Sequence, residues 1–133
     1  MNLVVNKEQA TIEVTNWLDN LDYPVDARSE VEVKSWIDAL ILSVQKGDLS
    51  FDGPYNVIQK LKHPLGDGAT TEIKYDFRFE VGEYQRVMKG KNINESIDWN
   101  CAKLHLISKL APAVFLKLIK YDYSVASKLA LFF

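Results

Sequence analysis

From residue 73 to residue 81 the chain alternates without a break. Ile73, Tyr75, Phe77, Phe79 and Val81 are apolar, and Lys74, Asp76, Arg78 and Glu80 fall between them. A period of two, with aromatic and β-branched residues on one side, describes a strand with one buried and one solvated face. Such a strand needs a neighbouring strand and a second layer over its apolar side, so the rest of the chain has to pack around it. The alternation stops at Gly82, and Tyr84, Val87 and Met88 then recur at helical spacing. The strand is therefore expected to turn sharply into a short helix. Upstream, residues 55–61 read as a weaker strand, and Pro64-Leu65-Gly66-Asp67-Gly68 supplies turn chemistry. The expectation is an antiparallel β-hairpin that feeds a helix.

Before the hairpin the pattern is helical. Residues 7–20 place Val14, Trp17 and Leu18, with Leu21 just beyond, on one stripe, and Tyr23-Pro24 closes the helix. Ser29 and Glu32 have the spacing of a capping box, followed by a stripe of Val33, Trp36, Ile37, Leu40, Ile41 and Val44. Lys46 and Gly47 suit the end of that helix. Residues 47–54 (GDLSFDGP) form the main break in composition and the candidate boundary between two parts that touch. After the hairpin, Asn92 and Glu95 are placed to cap a helix over residues 93–110 that carries Ile97, Cys101, Leu104, Ile107 and Leu110. Pro112 suits the first turn of a helix over residues 112–119. Asp122 stands where an N-cap would for a last helix over residues 124–132. The fold class is thus expected to be α+β, mostly α. Residues 1–53 form an N-terminal helical hairpin, and residues 54–133 hold one antiparallel β-hairpin and three to four C-terminal helices, in one compact unit.

Charge is divided along the chain. The net charge is −2, but residues 1–53 carry four basic against ten acidic side chains and residues 54–133 twelve against eight. Faces of opposite sign can simply attract one another, or the basic C-terminal part can meet an acidic partner. One cysteine excludes an internal disulfide framework and fits a reducing compartment. With no charged leader and no apolar run near the roughly 20 residues needed to span a bilayer, a cytoplasmic protein is expected.

The chemistry on offer is sparse. Cys101 and His105 share a helical face, but two ligands do not make a metal site, and His63 is distant in sequence. No glycine-rich elbow flanks Cys101 as a nucleophile would require. Gly66-Asp67-Gly68 lacks the continuation of a phosphate loop and is better read as a hairpin turn. Asp76 and Glu80 share a strand face, which alternation alone produces. Lys60, Lys62, Lys74 and Arg78 could form a basic ribbon, yet the pI near 5.7 argues against a nucleic-acid partner. No enzyme, cofactor, metal or membrane role is expected. Phe132 and Phe133 close the sequence, either docked with the last helix or offered to an apolar partner.

Taken in order, residues 54–133 resemble the small tail assembly chaperones of contractile-tailed phages. That family opens with a hairpin of the type V-x-L-x-x-P-L, here loosely matched by residues 58–65 (IQKLKHPL), with one more residue between Ile58 and Leu61. An alternating strand follows, here residues 71–77, and then an Arg, here Arg78. A Gly-acid turn leads into a helix, here Gly82-Glu83-Tyr84, with Glu83 where Asp is usual. The last element is an Asp followed by a helix ending in Phe, here Asp122 and Phe132-Phe133. Residues 1–53 have no counterpart in the pattern. The resemblance implies a non-enzymatic factor that keeps the tape measure protein soluble and helps bring tail tube subunits to it. It implies partner contacts at Arg78, Tyr84, Asp122, Phe132 and Phe133. The alternative is another phage-encoded interaction module, either a virion structural subunit or an inhibitor of a host protein, which the self-contained N-terminal hairpin favours.

Overall fold

The computed structural model describes residues 3–133 and is α+β, with helices predominating around a small antiparallel sheet. Helix α1 (Lys7–Asn20) starts where Asn6 Oδ1 accepts the Gln9 N–H at 2.8 Å, an N-cap that satisfies one of the first turn's unpaired donors. It ends with Asp22 in the left-handed region (φ 55°), while the Asp22 and Tyr23 amides bond back to Asp19 O and Leu18 O. Helix α2 (Val31–Gln45) ends the same way, with Gly47 at φ 80° and the Gly47 and Asp48 amides on Val44 O and Ser43 O. This paired bonding pattern closes the last carbonyls of a helix, and glycine is the residue that adopts its left-handed position at least cost.

Residues 47–54, read as a boundary, carry the edge strand β1 (Leu49–Phe51). It pairs antiparallel with β2 (Asn56–Leu65), which pairs in turn with β3 (Thr70–Asp76), in the order β1-β2-β3. The expected β-hairpin is therefore present, with a third strand that the composition of residues 47–54 concealed. Its turn has Gly66, Asp67 and Gly68 all at positive φ. Near the turn the ladder slips: β2 from Lys60 to Leu65 faces only Glu72 to Thr70 of β3. The bulge that results frees the Lys62 and His63 amides from the ladder.

After the sheet the chain continues with α3 (Val81–Met88), α4 (Ser96–Ser108), α5 (Pro112–Leu116) and α6 (Lys120–Leu129), the last followed by a 3-10 turn, Ala130–Phe132. Helices α4 and α6 pack on the sheet, and α3 and α5 pack on α4. One apolar cluster joins α1, α2, all three strands, α4, α5 and α6. Trp17 sits within it, its ring 5.0 Å from Phe77, 5.6 Å from Phe51 and 5.6 Å from Phe132. The first half of the sequence and its last residues thus share one core.

Several local expectations are corrected. The strand ends at Asp76, five residues before Val81, because Asp76 Oδ1 captures the Arg78 N–H at 2.9 Å and turns the chain out of the ladder. Phe77 is still buried, but Val81 is 75% exposed at the start of α3. No capping box forms at Ser29, whose hydroxyl donates to Asp26 O within a 3-10 turn, Asp26–Ser29, leaving Glu30 as the N-cap of α2. Asn92 accepts from the Asn94 amide in a turn of its own, so α4 starts later than expected and Ile97 is 55% exposed. Helix α6 begins two residues before Asp122, with Ile119 at its N-cap, so Asp122 lies inside the helix.

Candidate partner-binding site

The residues singled out from sequence separate into an open edge and a buried clamp. Arg78, Tyr84 and Phe133 belong to the edge. Phe79, half-buried, stacks on Tyr84 from α3 (6.1 Å, 21° between planes) and packs against Phe133 at 5.2 Å. Phe133 also meets Phe77 edge-on at 5.6 Å. These rings come from the strand end, from α3 and from the last residues, and their convergence gives a half-exposed aromatic surface.

Beside it a groove of about 590 Å³ is lined by Tyr55, Phe77, Phe79 and Arg78, with Asn20, Leu21 and Asp22 from the end of α1 and Glu80 and Glu83 at the start of α3. The Arg78 guanidinium grips Asp76 through Nε at 3.1 Å and Nη2 at 2.9 Å, and lies 5.7 Å from the Tyr55 ring centre. That hydrogen-bonded pair holds the Asp76 carboxyl below its ordinary value and pushes Arg78 above its own. Arg78 therefore already has an ion-pair partner within the chain, while most of its side chain stays exposed. Glu83 is likewise paired, with Lys109 at 3.3 Å, so the acidic character of the rim comes from Asp22 and Glu80, which form no ion pair among the described residues. An apolar floor with an acidic rim suits an amphipathic segment whose polar flank is basic.

Phe132 is on the inner side of the same aromatic group. It is 6% exposed, with Tyr23 at 5.5 Å and Trp36 at 6.2 Å in addition to Trp17. A partner could touch it only if the core opened. Lys103 of α4, which sequence reasoning passed over, holds this last turn in place. Its ammonium donates to Ala130 O at 3.1 Å and to the backbone oxygen of Phe133, and lies 5.1 Å from the Phe133 ring. Burial lowers its pKa, as expected for an ammonium removed from water. Only the mixed burial of a long cationic stem would have signalled it, and one sequence does not display that.

Asp122 is remote from the edge and 1% exposed. Its two carboxylate oxygens accept the Lys62 and His63 amides at 3.0 Å each, the two donors that the β2 bulge releases. Gln59 donates to Asp122 O at 2.9 Å and accepts from the Tyr75 hydroxyl at 2.6 Å. Burial, and then the Asp122 charge, push the Tyr75 phenol well above its ordinary value. Next door, Tyr121 donates to Asp48 and lies under Lys62 at 4.2 Å. Burial first, then the Asp48 bond, push Tyr121 up to about 12. This network fastens α6 to the sheet.

Cys101 is buried, and burial pushes its thiol up, opposite to what a nucleophile needs. His105 is tied through Nδ1 to Leu110 O at 2.8 Å. Among the described residues no third ligand joins them as a metal group. No helix of the described residues is long and apolar enough to cross a membrane. Comparison of the chain with protein-family models, curated proteins and solved structures found no match.

Proposed function

We propose that this protein is a non-enzymatic assembly chaperone that binds an amphipathic helical segment of a client at the Phe79–Tyr84–Phe133 edge. The observation that carries the reading is that edge: half-exposed rings from three separated parts of the chain, bordered by an acidic rim. A holdase needs apolar surface to receive a client's apolar stripe and a charged border that disfavours self-association. The likeness of residues 54–133 to phage tail assembly chaperones supplies the specific form of the proposal. The client is then a tape measure protein, with tail tube subunits as a second partner, acting in the cytoplasm of the host.

Co-expression with a tape measure protein tests this, scored by soluble yield and co-purification. Soluble client lost with Tyr84→Ala and Phe133→Ala, in a protein that still folds, supports the proposal. A client that stays insoluble, with no complex recovered, refutes it. Phe132→Asp does not serve as a probe, because it would place a charge in the core.

A second reading, an interaction module for a virion subunit or a host protein, is favoured by a separate groove of about 470 Å³ between α1 and α2. Leu18, Val25, Ile37 and Ile41 are among its lining residues. Capture of a different partner through Val25→Glu-sensitive binding, with the Tyr84 edge irrelevant, would move the assignment there.

A further inference from the structure

Helix α3 borders two grooves of unlike charge. Glu80, its N-cap, and Glu83 face the acidic-rimmed groove already described, whereas Arg86 and Val87 face another of about 380 Å³. This second groove is completed by Lys91, by Ala102 and His105 of α4, and by Pro112. Among the described residues the lining includes no carboxylate, and neither Arg86 nor Lys91 takes part in an ion pair. Because Leu110 O can only accept, His105 donates to it through Nδ1, so its ring is held at the wall of the groove and, among the described residues, Nε2 has no hydrogen-bond partner. Val87, half-buried, and Pro112, exposed, give the groove apolar surface, and the buried Ala102 lies behind it.

We infer that this groove binds an acidic segment of the protein partner, with carboxylates on Arg86 and Lys91 and a short apolar side chain over Val87 and Pro112. The inference rests on the reading of the chain as a protein-binding factor and adds the charge of the partner at a second position. Two exposed cations without a neutralising partner attract carboxylates from a distance and fix their register. A nucleic acid fits less well. Its affinity depends on many phosphates being neutralised together, and this chain carries a net charge of −2 with its acidic excess in residues 1–53.

The experiment is fluorescence anisotropy with two labelled amphipathic helical peptides that share a Leu stripe, one with Glu flanks and one with Gln. The full chain is compared with Arg86→Glu/Lys91→Glu and with the milder Arg86→Gln/Lys91→Gln, each checked for folding by circular dichroism. The Glu peptide is expected to bind at least about tenfold more tightly than the Gln peptide, and about tenfold more weakly after charge reversal. Added salt should weaken it further. Equal binding of the two peptides, indifference to reversal, or no binding up to ~1 mM overturns the inference. So does tighter binding of a single-stranded oligonucleotide of equal charge that the same reversal abolishes. The two readings fail separately. A solubilised client with no preference for the Glu peptide sinks only the groove, and Glu-peptide binding without client rescue sinks only the chaperone.

Discussion

Replacing Asp122 should destabilise the fold through two specific backbone donors. Its carboxylate is the acceptor for two amides that the bulged stretch of β2 cannot pair with β3. A net hydrogen bond to a charged group contributes about 1.5–3 kcal/mol, and a buried donor left without an acceptor costs about 1–3 kcal/mol. Against that, Asp122→Ala also removes a carboxylate whose burial is unfavourable, which offsets part of the loss. The balance is a destabilisation of about 2–4 kcal/mol, or a fall in Tm of roughly 10 °C for a domain of this size. Asp122→Asn keeps the shape but turns an NH2 toward one of the two donors, so a loss of about 2 kcal/mol is expected there too. Urea titration gives the free energy, and amide exchange tests the cause, because Lys62 and His63 should lose protection before the rest of β2. If both variants stay within about 0.5 kcal/mol of the parent and the two amides remain protected, Asp122 is not what holds the bulge.

Other outcomes follow from the same packing. Phe132→Ala should cost about 3–4 kcal/mol in urea titration, whereas Phe133→Ala, at the half-exposed edge, should cost only about 1–2 kcal/mol. Tyr75 and Tyr121 both ionise less readily in the folded chain than at the unfolded value of 10.0, so the native state holds protons that the unfolded state has lost. Their contribution is complete below pH 10 and declines as pH rises from 10 toward 12, and Tyr75→Phe should flatten that decline in urea midpoints measured across the range. Cys101 is 3% exposed, so a thiol reagent should modify it only at the rate of opening, and fast native-state labelling at neutral pH would contradict the packing of α4.

Periodicity and turn chemistry determined much of this protein locally. The bounds of α1, the apolar stripe of α2 ending at Gly47, the hairpin turn at Gly66-Asp67-Gly68 and the buried alternation of Ile73, Tyr75 and Phe77, the last just past the end of β3, are all legible because each depends on residues within a few positions of one another. The helix starts were less legible, since Ser29 and Asn92 found closer backbone partners than the caps expected of them. What the tertiary structure alone decided is where distant residues meet. Asp122 has the sequence context of a helix cap, yet its partners are about sixty positions away on β2, where only the slipped register exposes them. Arg78 reads as a free surface cation, yet the turn of the chain at Asp76 places both residues in one ion pair. Phe132 and Phe133 are adjacent and alike in sequence, but the 3-10 turn that closes α6 directs one toward Trp17 and leaves the other at the edge beside Phe79. A local pattern fixes which side of an element is apolar, whereas the assignment of a single ring to core or surface depends on contacts across the whole chain.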